Sequence, residues 1–452
     1  MSDTPEVFFD ASLPMFVTKV ADQFGPEVLN RGVVMRDTSG RLRFLSAEPS
    51  PLDEDRAAIE AKLAEGLGAY ARPDRVIAFS DEPGVHRLLT DAATFPIQQD
   101  SVTFRFLDRR IVGSGWVDHP YEGAVRPPRI VFASLKGGVG RSTALAVAAS
   151  DLSSRNKNIL AIDLDLEAPG LGDMLLDEER APRYGTVDYL VENGLGGVSD
   201  RTLPDFIGTS ALTTTGGGRV DVLPALGRED IAHPSNTLPK LSRAMIEDIN
   251  ADGSAVSLTT QISGMIKRFT ERDIYDVVLI DSRAGLSELA APTMLGLGAN
   301  VLLFGTAQRH TINGYAALFE ALKLLAERDR AAGRSAEWRL LFKAVHAKAS
   351  LDESIAARYR DDLYDLFADN LYDSDDVQQA TADTVNFDID DENAPHWPLV
   401  IPFTQNLIDF DPVKTPGQLT AAFYGQVYRP FLDGMDSIIA SDGAPTEESG
   451  EE

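Results

Sequence analysis

Residues 130–143 form the part of the chain best equipped for chemistry. They read Ile-Val-Phe-Ala-Ser-Leu-Lys-Gly-Gly-Val-Gly-Arg-Ser-Thr, which is an apolar segment, a glycine-rich loop and the start of a predicted helix. Gly137, Gly138 and Gly140 lack a Cβ, so the backbone can take left-handed angles and turn its N–H groups towards phosphate oxygens. A helix that begins near Ser142 directs the positive end of its dipole to the same place. The segment therefore predicts a phosphate-binding loop.

The loop departs from the pattern G-x-x-x-x-G-K-[ST] at two positions. Leu135 replaces the first glycine and Arg141 replaces the lysine, while an extra lysine, Lys136, opens the loop. Ser142 stands where the hydroxyl of such loops ligates Mg²⁺. Arginine is bulkier than lysine and presents a planar fork, so the two are not interchangeable at this position. A glycine-rich turn without a ligand is the competing interpretation, and the motifs downstream argue against it.

Two predicted strands further along the chain end in carboxylates. One ends in Asp163 and Asp165, and the other ends in Asp281, with Gly285 four residues later. Because the carboxyl ends of parallel strands meet at one edge of a sheet, we expect these residues to lie beside the phosphate loop. There Asp281 would support Mg²⁺, and Gly285 would let the following loop respond to a terminal phosphate. Single aspartates at strand ends often cap helices, so the prediction rests on the three segments together.

The elements that must position these residues alternate between strands and helices. Continuous apolar runs indicate strands that are covered on both faces. The predicted strands are Ile130–Ser134, Ile159–Asp163, Val277–Asp281, Val301–Gly305, Leu340–Val345 and Leu399–Pro402. The predicted helices are Ser142–Arg155, Gln261–Glu271, Gly314–Asp329 and Ser354–Asn370. The pattern predicts an α/β fold with a doubly wound, mostly parallel sheet that binds ligands at the carboxyl ends of its strands.

The N-terminal part, residues 1–120, predicts a smaller α/β or α+β domain without catalytic spacing. Its predicted elements are a helix at Glu54–Leu67 and strands at Arg75–Ala78, Val102–Leu107 and Arg110–Trp116. Residues 119–128 are rich in Pro and Gly and indicate a linker or tight turn before a second domain at 129–435. His86 and His119 are isolated histidines, and a structural or exposed position is the favoured interpretation for both.

Three further segments stand out by length or charge. Residues 171–260 separate two predicted strands and are too long for a simple crossover, so we expect an insertion with its own helices and a mobile loop around Thr213–Gly218. Residues 361–392 are acidic and contain no Lys or Arg, which favours a solvated helix and loop over a cation site or a docking surface. Residues 441–452 form an acidic tail that we expect to be disordered.

Composition excludes several classes of protein. The chain has 452 residues, 43% of them hydrophobic, and no cysteine, so disulfides, thiol nucleophiles and Cys-based metal sites are excluded. It contains no apolar run long enough to span a membrane and no signal-peptide pattern. Together with the absence of cysteine, these features predict a cytoplasmic protein. A net charge of −28 argues against broad nucleic-acid binding, because such binding depends on neutralising phosphates with Lys and Arg.

Three motifs together resemble a known group of proteins. They are Lys-Gly-Gly-Val-Gly-Arg in the loop, Asp-Leu-Glu-Ala-Pro-Gly-Leu after the second strand, and Leu-Ile-Asp-Ser-Arg at the third. They resemble the deviant Walker-A P-loop ATPases of the ParA/MinD type, in the variant with the KGGVGR motif, over roughly residues 129–432. The resemblance implies ATP and Mg²⁺ as cofactors and a homodimer that encloses the nucleotide.

The resemblance also implies roles for individual residues. Lys136 would reach the phosphates bound by the partner subunit, Asp165 would orient the attacking water, and Arg141 would contact the β- and γ-phosphates in place of lysine. The implied nucleotide-binding residues are Gly137, Gly138, Val139, Gly140, Arg141, Ser142, Thr143, Pro402 and Phe403. The implied metal site consists of Ser142, Asp163 and Asp281, in which Asp163 supports either Mg²⁺ or the loop.

The sequence indicates less clearly which residues contact the nucleotide base and which lie at the periphery of the site. Pro402 and Phe403 fall where relatives hold adenine, whereas the preceding strand lacks the Asn that relatives use, so adenine specificity follows from the resemblance alone. His346 is an alternative contact there, with a structural role favoured. Gln308 and Arg309 follow a predicted strand and are candidates for dimer contact or phosphate sensing.

The predicted function is an ATP-driven switch with slow hydrolysis that regulates a partner protein from the same operon, in bacterial signalling or defence. Two accounts of Arg141 stay open: a second cationic clamp beside Lys136, or a substitution that exchanges turnover for a long-lived ATP-bound state. A catalytically impaired nucleotide-binding scaffold is the alternative function, and DNA partitioning of the ParA type is disfavoured by the acidic composition.

Overall fold

The computed structural model describes residues 7–72, 74–99, 102–110, 113–212, 217–249, 255–373 and 385–443. The chain divides into two compact units. The first ends at Asp118 and includes Glu327–Arg334, and the second comprises His119–Ala326 and the residues from Ser335 onward. Within the described ranges, no helix has the length and apolar character needed to cross a membrane.

The first unit contains a mixed five-stranded sheet with the order β3-β2-β1-β5-β4. Its strands are β1 (Val33–Arg36), β2 (Leu42–Leu45), β3 (Ile77–Ala78), β4 (Phe95–Gln99) and β5 (Val102–Asp108). Its helices are α1 (Phe9–Phe24), α2 (Pro26–Arg31), α3 (Asp53–Ala64) and α4 (Val85–Leu89). Phe16 and Val20 of α1 are fully buried with Phe44 and Phe104 of the sheet, and they form the centre of this unit's core.

One strand predicted for this region is wrong. The last three residues of the predicted strand Arg110–Trp116 belong to a short 3₁₀ helix, Ser114–Val117, while residues 111 and 112 lie outside the described ranges. Gly113 precedes this turn with a φ of 76°, a left-handed angle that ends an extended chain. The helix predicted at Glu54–Leu67 corresponds to α3, whose last residue is Ala64.

The second unit contains an eight-stranded sheet with the order β15-β14-β13-β6-β12-β7-β9-β8. Its strands are β6 (Arg129–Ser134), β7 (Ile159–Leu164), β8 (Gly208–Thr209), β9 (Val220–Leu223), β12 (Val277–Ser282), β13 (Asn300–Gly305), β14 (Phe342–Ala349) and β15 (Leu399–Pro402). A separate two-stranded ribbon consists of β10 (Asp248–Ile249) and β11 (Ala255–Val256). Every pairing in the large sheet is parallel except that of β8 with β9.

The central strands explain the continuous apolar runs of the sequence. Every residue of β6, β7, β12 and β13 is buried, because helices cover both faces of the sheet. The predicted fold class, a doubly wound and mostly parallel α/β sheet with a smaller N-terminal region, is confirmed.

The helices of the second unit include the long elements that frame the sheet. They are α5 (Arg141–Ser154), α6 (Leu171–Leu175), α7 (Thr186–Asn193), α8 (Arg228–Ala232), α9 (Thr237–Ala244), α10 (Leu258–Thr270), α11 (Ala290–Leu295), α12 (Arg309–Ala331), α13 (Glu353–Asn370) and α14 (Ala421–Gly443). Helices α5 and α14 share one core cluster, in which Leu145 and Val147 of α5 are buried with Phe431 and Met435 of α14.

The insertion at 171–260 forms part of the main sheet, which the sequence did not indicate. It contains helices, as expected, and it also supplies β8 and β9, which extend the main sheet beyond β7. Residues Val220–Leu223 are all buried, yet four residues are too short a run to distinguish a sheet strand from a buried loop. Of the loop predicted around Thr213–Gly218, residues 213–216 lie outside the described ranges.

Helices extend into both acidic segments, as expected for 361–392 but not for the tail from 441. Residues 361–370 continue helix α13, and residues 374–384 lie outside the described ranges. Residues 441–443 belong to α14, so the tail predicted to be disordered from 441 begins inside a helix, and residues 444–452 are not described. The predicted strand Leu340–Val345 is also displaced, because a 3₁₀ turn occupies Glu337–Leu341 and β14 continues to Ala349.

Candidate functional site

The glycine-rich loop between β6 and α5 has the open backbone that the sequence predicted. Gly138 and Gly140 have φ angles of 75° and 99°, and no atom lies within 4 Å of the position that a Cβ would take at either residue or at Gly137. The Ser134 hydroxyl donates to the Lys136 carbonyl over 2.7 Å and closes the base of the loop. A residue with a side chain at position 138 or 140 would have to adopt a left-handed backbone angle, which glycine takes without strain.

Helix α5 begins immediately after this loop. Gly140 is its N-cap residue and has no side chain that could accept a hydrogen bond from the first turn. The N–H groups of Arg141, Ser142 and Thr143 thus lie at a helix N-terminus that has no capping side chain, where the helix dipole also favours an anion. The arrangement matches the phosphate-binding geometry expected from the sequence.

Arg141, the residue that departs from the usual loop, turns inward. Its side chain is only 6% exposed, and its Nη2 atom lies 2.9 Å from Asp165 Oδ2. Its Nη1 atom donates to the Ser282 carbonyl, and its Nε atom lies 3.9 Å from Asp281 Oδ1. One guanidinium therefore contacts the ends of both β7 and β12, which a lysine with a single ammonium group would do less completely.

Asp281 and Ser142 form the second contact between the loop and the sheet. The Ser142 hydroxyl donates to Asp281 Oδ2. Asp281 Oδ1 is buried and has no hydrogen-bond partner within the described residues. Burial raises the pKa of the Asp281 carboxyl, and the nearby Arg141 guanidinium opposes that rise. An orphaned carboxylate oxygen beside a serine hydroxyl has the chemistry of a magnesium site.

Asp163 holds the chain that follows β7. Its Oδ1 atom accepts the N–H of Asp165 at 3.0 Å, and its Oδ2 atom accepts the N–H groups of Gly170 and Leu171 at 3.2 and 3.1 Å. Burial and the charge of the adjacent Asp281 raise the pKa of Asp163, whereas these N–H groups oppose the rise. Asp163 thus supports the chain after β7, a role that the sequence did not predict, and its predicted support of Mg²⁺ or of the phosphate loop remains a prediction.

A cavity of about 380 Å³ opens from the loop to the end of β15. All the predicted nucleotide-binding residues except Gly137 line this cavity, namely Gly138–Thr143, Pro402 and Phe403. Phe403 is 53% exposed at the rim. Lys136 is exposed and does not line this cavity.

Comparison with known proteins identifies the family. Residues 130–409 match the family model described as the CobQ/CobB/MinD/ParA nucleotide binding domain, which covers more than half of the chain. The chain belongs to this family. The family expected from the sequence motifs is thereby confirmed. No curated protein matches the sequence.

Similar solved structures come from ParA and MinD proteins. MinD from Aquifex aeolicus is 17% identical, with a TM-score of 0.41, and the match covers 71% of this chain and 100% of that chain. MinD from Pyrococcus furiosus is 16% identical, with a TM-score of 0.40 and coverages of 69% and 99%. A pNOB8 ParA bound to nonspecific DNA is 15% identical, with a TM-score of 0.40 and coverages of 69% and 99%.

In this CobQ/CobB/MinD/ParA domain, sequence reasoning missed several residues at the site. Lys348 Nζ donates to the Gly138 carbonyl over 2.6 Å and lines the cavity. Lys348 has a φ of 51° beside a register shift in the pairing of β14 with β15, and no sequence pattern announced that irregularity. Met174 of α6 and Tyr428 of α14 also line the cavity. A longer predicted strand after Val345 would have brought Lys348 to the sheet edge.

The weaker candidates occupy different places. Gln308 and Arg309 line a separate cavity of about 560 Å³ with Arg358 and Asp362, and not the cavity beside the phosphate loop. His346 is 2% exposed, and its ring lies 4.6 Å from that of Tyr359, which agrees with a structural role. Burial lowers the pKa of His346 to about 4.

His86 and His119 are both exposed, in agreement with the favoured interpretation.

The charges of the site fit a magnesium nucleotide. Arg141, Asp163, Asp165 and Asp281, which we call the Arg141 cluster, comprise three buried carboxylates and one guanidinium, which contacts Asp165 and Asp281. Unless protons or a cation compensate, that excess of negative charge is costly in a buried site. Within the described ranges, no group of three or more His, Asp or Glu side chains is arranged to hold a metal by itself. A cation here would therefore need the Ser142 hydroxyl and ligand oxygens in addition to Asp281, as in other phosphate-binding loops.

Proposed function

We propose that the chain binds ATP with Mg²⁺, hydrolyses it slowly and dimerises around the nucleotide, and that this cycle switches a partner protein. The observation that supports the proposal best is the Arg141 cluster at an uncapped helix N-terminus, with Arg141 bonded to Asp165 at 2.9 Å and Ser142 bonded to Asp281. Membership of a nucleotide-binding family supports the ligand class.

Each residue then has a defined task. The N–H groups from Gly137 to Thr143 would bind the phosphates, and Ser142 with Asp281 would hold Mg²⁺, which neutralises phosphate charge when bound. Asp165, whose N–H group donates to Asp163 Oδ1, would orient the attacking water. Arg141 would meet the charge that develops on the transferred phosphoryl group.

Lys136 is the residue that we propose acts on a second subunit. It is exposed, and this supports a contact with phosphates that another copy of the chain binds. Light scattering after gel filtration should show dimers with Mg²⁺ and ATP and monomers without nucleotide. Lys136→Ala should lower the dimer fraction while leaving the affinity of the monomer for ATP unchanged within about twofold.

Calorimetry with Mg²⁺ and ATP tests the ligand directly. We expect binding that is lost in Ser142→Ala with Gly138→Val, a pair of changes that removes the hydroxyl and fills the loop. Ser437→Ala, a change of an exposed helical serine, is the matched control. Absence of heat at millimolar ATP, with the protein folded by circular dichroism, would refute the proposal.

A second candidate is a nucleotide-binding scaffold without useful turnover. It is favoured by the same ion pair, because the carboxylate expected to orient water already holds a guanidinium. A phosphate-release assay separates the two candidates. Turnover that Asp165→Asn abolishes supports the ATPase, whereas binding without turnover in the unmodified protein supports the scaffold.

The partner is proposed to be a protein encoded near this one, in a signalling or defence system. Large apolar side chains on the insertion support a protein-binding role, since Leu195, Leu238 and Ile249 are 79, 77 and 70% exposed. DNA partitioning is not part of the proposal, because the net charge of −28 opposes broad contact with phosphates. A salt-sensitive gel shift with ATP would restore it.

A further inference from the structure

The chain that follows β7 is fixed at its two ends and exposed in its middle. Asp163 accepts N–H groups from Asp165 at one end and from Gly170 and Leu171 at the other. Residues 167–169 between these ends are exposed. The position of Asp165 therefore depends on how this loop is restrained on its outer side as well as from within.

The loop that follows β12 is anchored more firmly. The Ser282 carbonyl accepts from Arg141, and the Ser282 hydroxyl lies 2.7 Å from that of Thr293. Gly285 has a φ of 89° and donates its N–H to the Ser134 carbonyl over 2.9 Å. A side chain between Ser282 and Gly285 thus projects from a loop that is fixed on both sides.

Arg283 is that side chain, and its Nη1 atom donates to Glu167 Oε1 in the exposed middle of the other loop. The side chains of Arg283 and Glu167 are 30 and 40% exposed. The same two loops are also joined in the interior, where Arg141 contacts Asp165 and the Ser282 carbonyl. Two arginines therefore connect the loops, one from within and one from outside.

The two connections differ in what an anionic ligand would do to them. Arg141 lines the cavity, so a triphosphate would compete with Asp165 for its guanidinium. Neither Arg283 nor Glu167 belongs to that lining, and their ion pair can persist while the cavity is filled. The outer pair is thus the restraint on the Asp165 loop that remains when Arg141 turns to phosphate.

We propose that Arg283 and Glu167 are positioning residues, whose ion pair holds the Asp165 loop against the loop after β12 during hydrolysis. This inference rests on the proposed ATPase function. An exposed pair contributes at most about 1 kcal/mol to stability, so its loss should leave the fold intact. Its effect should appear in the placement of Asp165, which governs turnover rather than nucleotide affinity.

The test compares Arg283→Ala, Glu167→Ala and the exchanged pair Glu167→Arg with Arg283→Glu. Each single change should lower kcat about 5- to 20-fold with the Kd for ATP changed less than twofold. The exchanged pair should recover most of the loss, which a merely structural effect would not do. Arg183→Ala is the matched control, because it breaks another exposed pair, 2.8 Å between Arg183 Nε and Glu229 Oε1.

Hydrogen exchange gives a second readout that needs no nucleotide. In the free protein, amides between residues 165 and 171 should exchange about 2- to 5-fold faster in Arg283→Ala than in the unmodified chain, and Arg183→Ala should not change them. Unchanged exchange, an unchanged or raised kcat in the single variants, or no recovery in the exchanged pair would overturn the inference. If the unmodified protein shows no turnover, the ATPase proposal fails instead, and the exchange experiment still decides whether the pair restrains the loop.

Discussion

Two clusters of buried charge lie in the second unit, and they differ in how completely they are satisfied. In the insertion, Lys240 Nζ lies 2.6 Å from one oxygen of Asp188 and 2.6 Å from one oxygen of Asp230. The other oxygens accept the N–H groups of Gly185 and Gly227 at the starts of α7 and α8. Every carboxylate oxygen of this Lys240 cluster therefore has a partner.

The Arg141 cluster is built from the same kinds of side chain but is incomplete. It has three carboxylates for one guanidinium, and Asp281 Oδ1 has no hydrogen-bond partner within the described ranges. It also opens to a cavity through Arg141 and Ser142, whereas the Lys240 cluster joins two helix starts. A satisfied cluster stabilises a fold, and an unsatisfied one at a cavity marks a binding site.

The sharpest test of this contrast is Asp165→Asn. The change keeps an acceptor for Arg141 but removes the carboxylate that we propose orients water, so turnover should fall about 100-fold or more. The melting temperature should stay within a few degrees of the unmodified protein. Phosphate release and calorimetric unfolding measure the two quantities, and Asp433→Asn, at a side chain that is 63% exposed, is the control. Turnover reduced less than about threefold would contradict the role of Asp165.

The corresponding change in the satisfied cluster is Lys240→Met. It leaves Asp188 and Asp230 facing each other without their cation, which should cost about 3 kcal/mol of unfolding free energy. Urea denaturation measures that loss, and ATP affinity should remain unchanged. Lys414→Met, at a side chain that is 83% exposed, should cost less than about 0.5 kcal/mol. A loss of ATP affinity as large as the loss of stability would mean that the clusters are not separate in function.

Asp281→Asn should separate stability from ligand binding. The change removes a buried charge whose Oδ1 atom has no hydrogen-bond partner within the described residues, so the unfolding free energy should stay equal or rise by about 1 kcal/mol. Nucleotide binding at saturating Mg²⁺ should weaken about tenfold, and its dependence on Mg²⁺ should decrease. Calorimetry with and without Mg²⁺ measures this. Strong destabilisation with unchanged Mg²⁺ dependence would place Asp281 among the structural residues.

His346 extends the comparison to a buried titratable side chain near the carboxyl ends of the strands. Its pKa falls from 6.5 to about 4 through burial, so the unfolded chain binds more protons between those values. With respect to this group, the unfolding free energy has its full value above about pH 6.5 and falls as the pH drops towards 4. The slope of that fall is at most about 1.4 kcal/mol per pH unit. His346→Phe should remove this part of the slope in urea titrations at pH 7, 6 and 5. Equal slopes for both proteins would contradict it.

Sequence patterns predicted the elements whose signals are local. Buried strands such as Val277–Ser282 are continuous apolar runs, and the phosphate loop depends on glycines that adjoin one another. The adjacency of Asp163 and Asp281 followed from strand order, and the two residues are register partners across β7 and β12. Strand ends combined with loop chemistry were therefore sufficient to predict which of these residues lie together.

The residues that were missed depend on contacts between distant parts of the chain. Lys240 meets Asp188, 52 positions earlier, and Glu167 meets Arg283, 116 positions later. Neither pair has a spacing that a helix or strand would reveal. Lys348 required knowledge of the irregular pairing at the end of β14, and β9 was hidden in an insertion because its apolar run is so short.

Helix α14 runs between the two ends of the strands in the large sheet. Tyr428 lines the cavity beside the phosphate loop, and Ser441 lines another cavity with Phe342 and Leu399, at the opposite ends of the strands. A helix of 23 residues is about 34 Å long, so it reaches from one end of the strands to the other. Pro430 lies inside it and cannot donate the backbone hydrogen bond of its turn. At this turn the buried side chains of Tyr428 and Phe431, rather than a backbone hydrogen bond, fix the helix on the core.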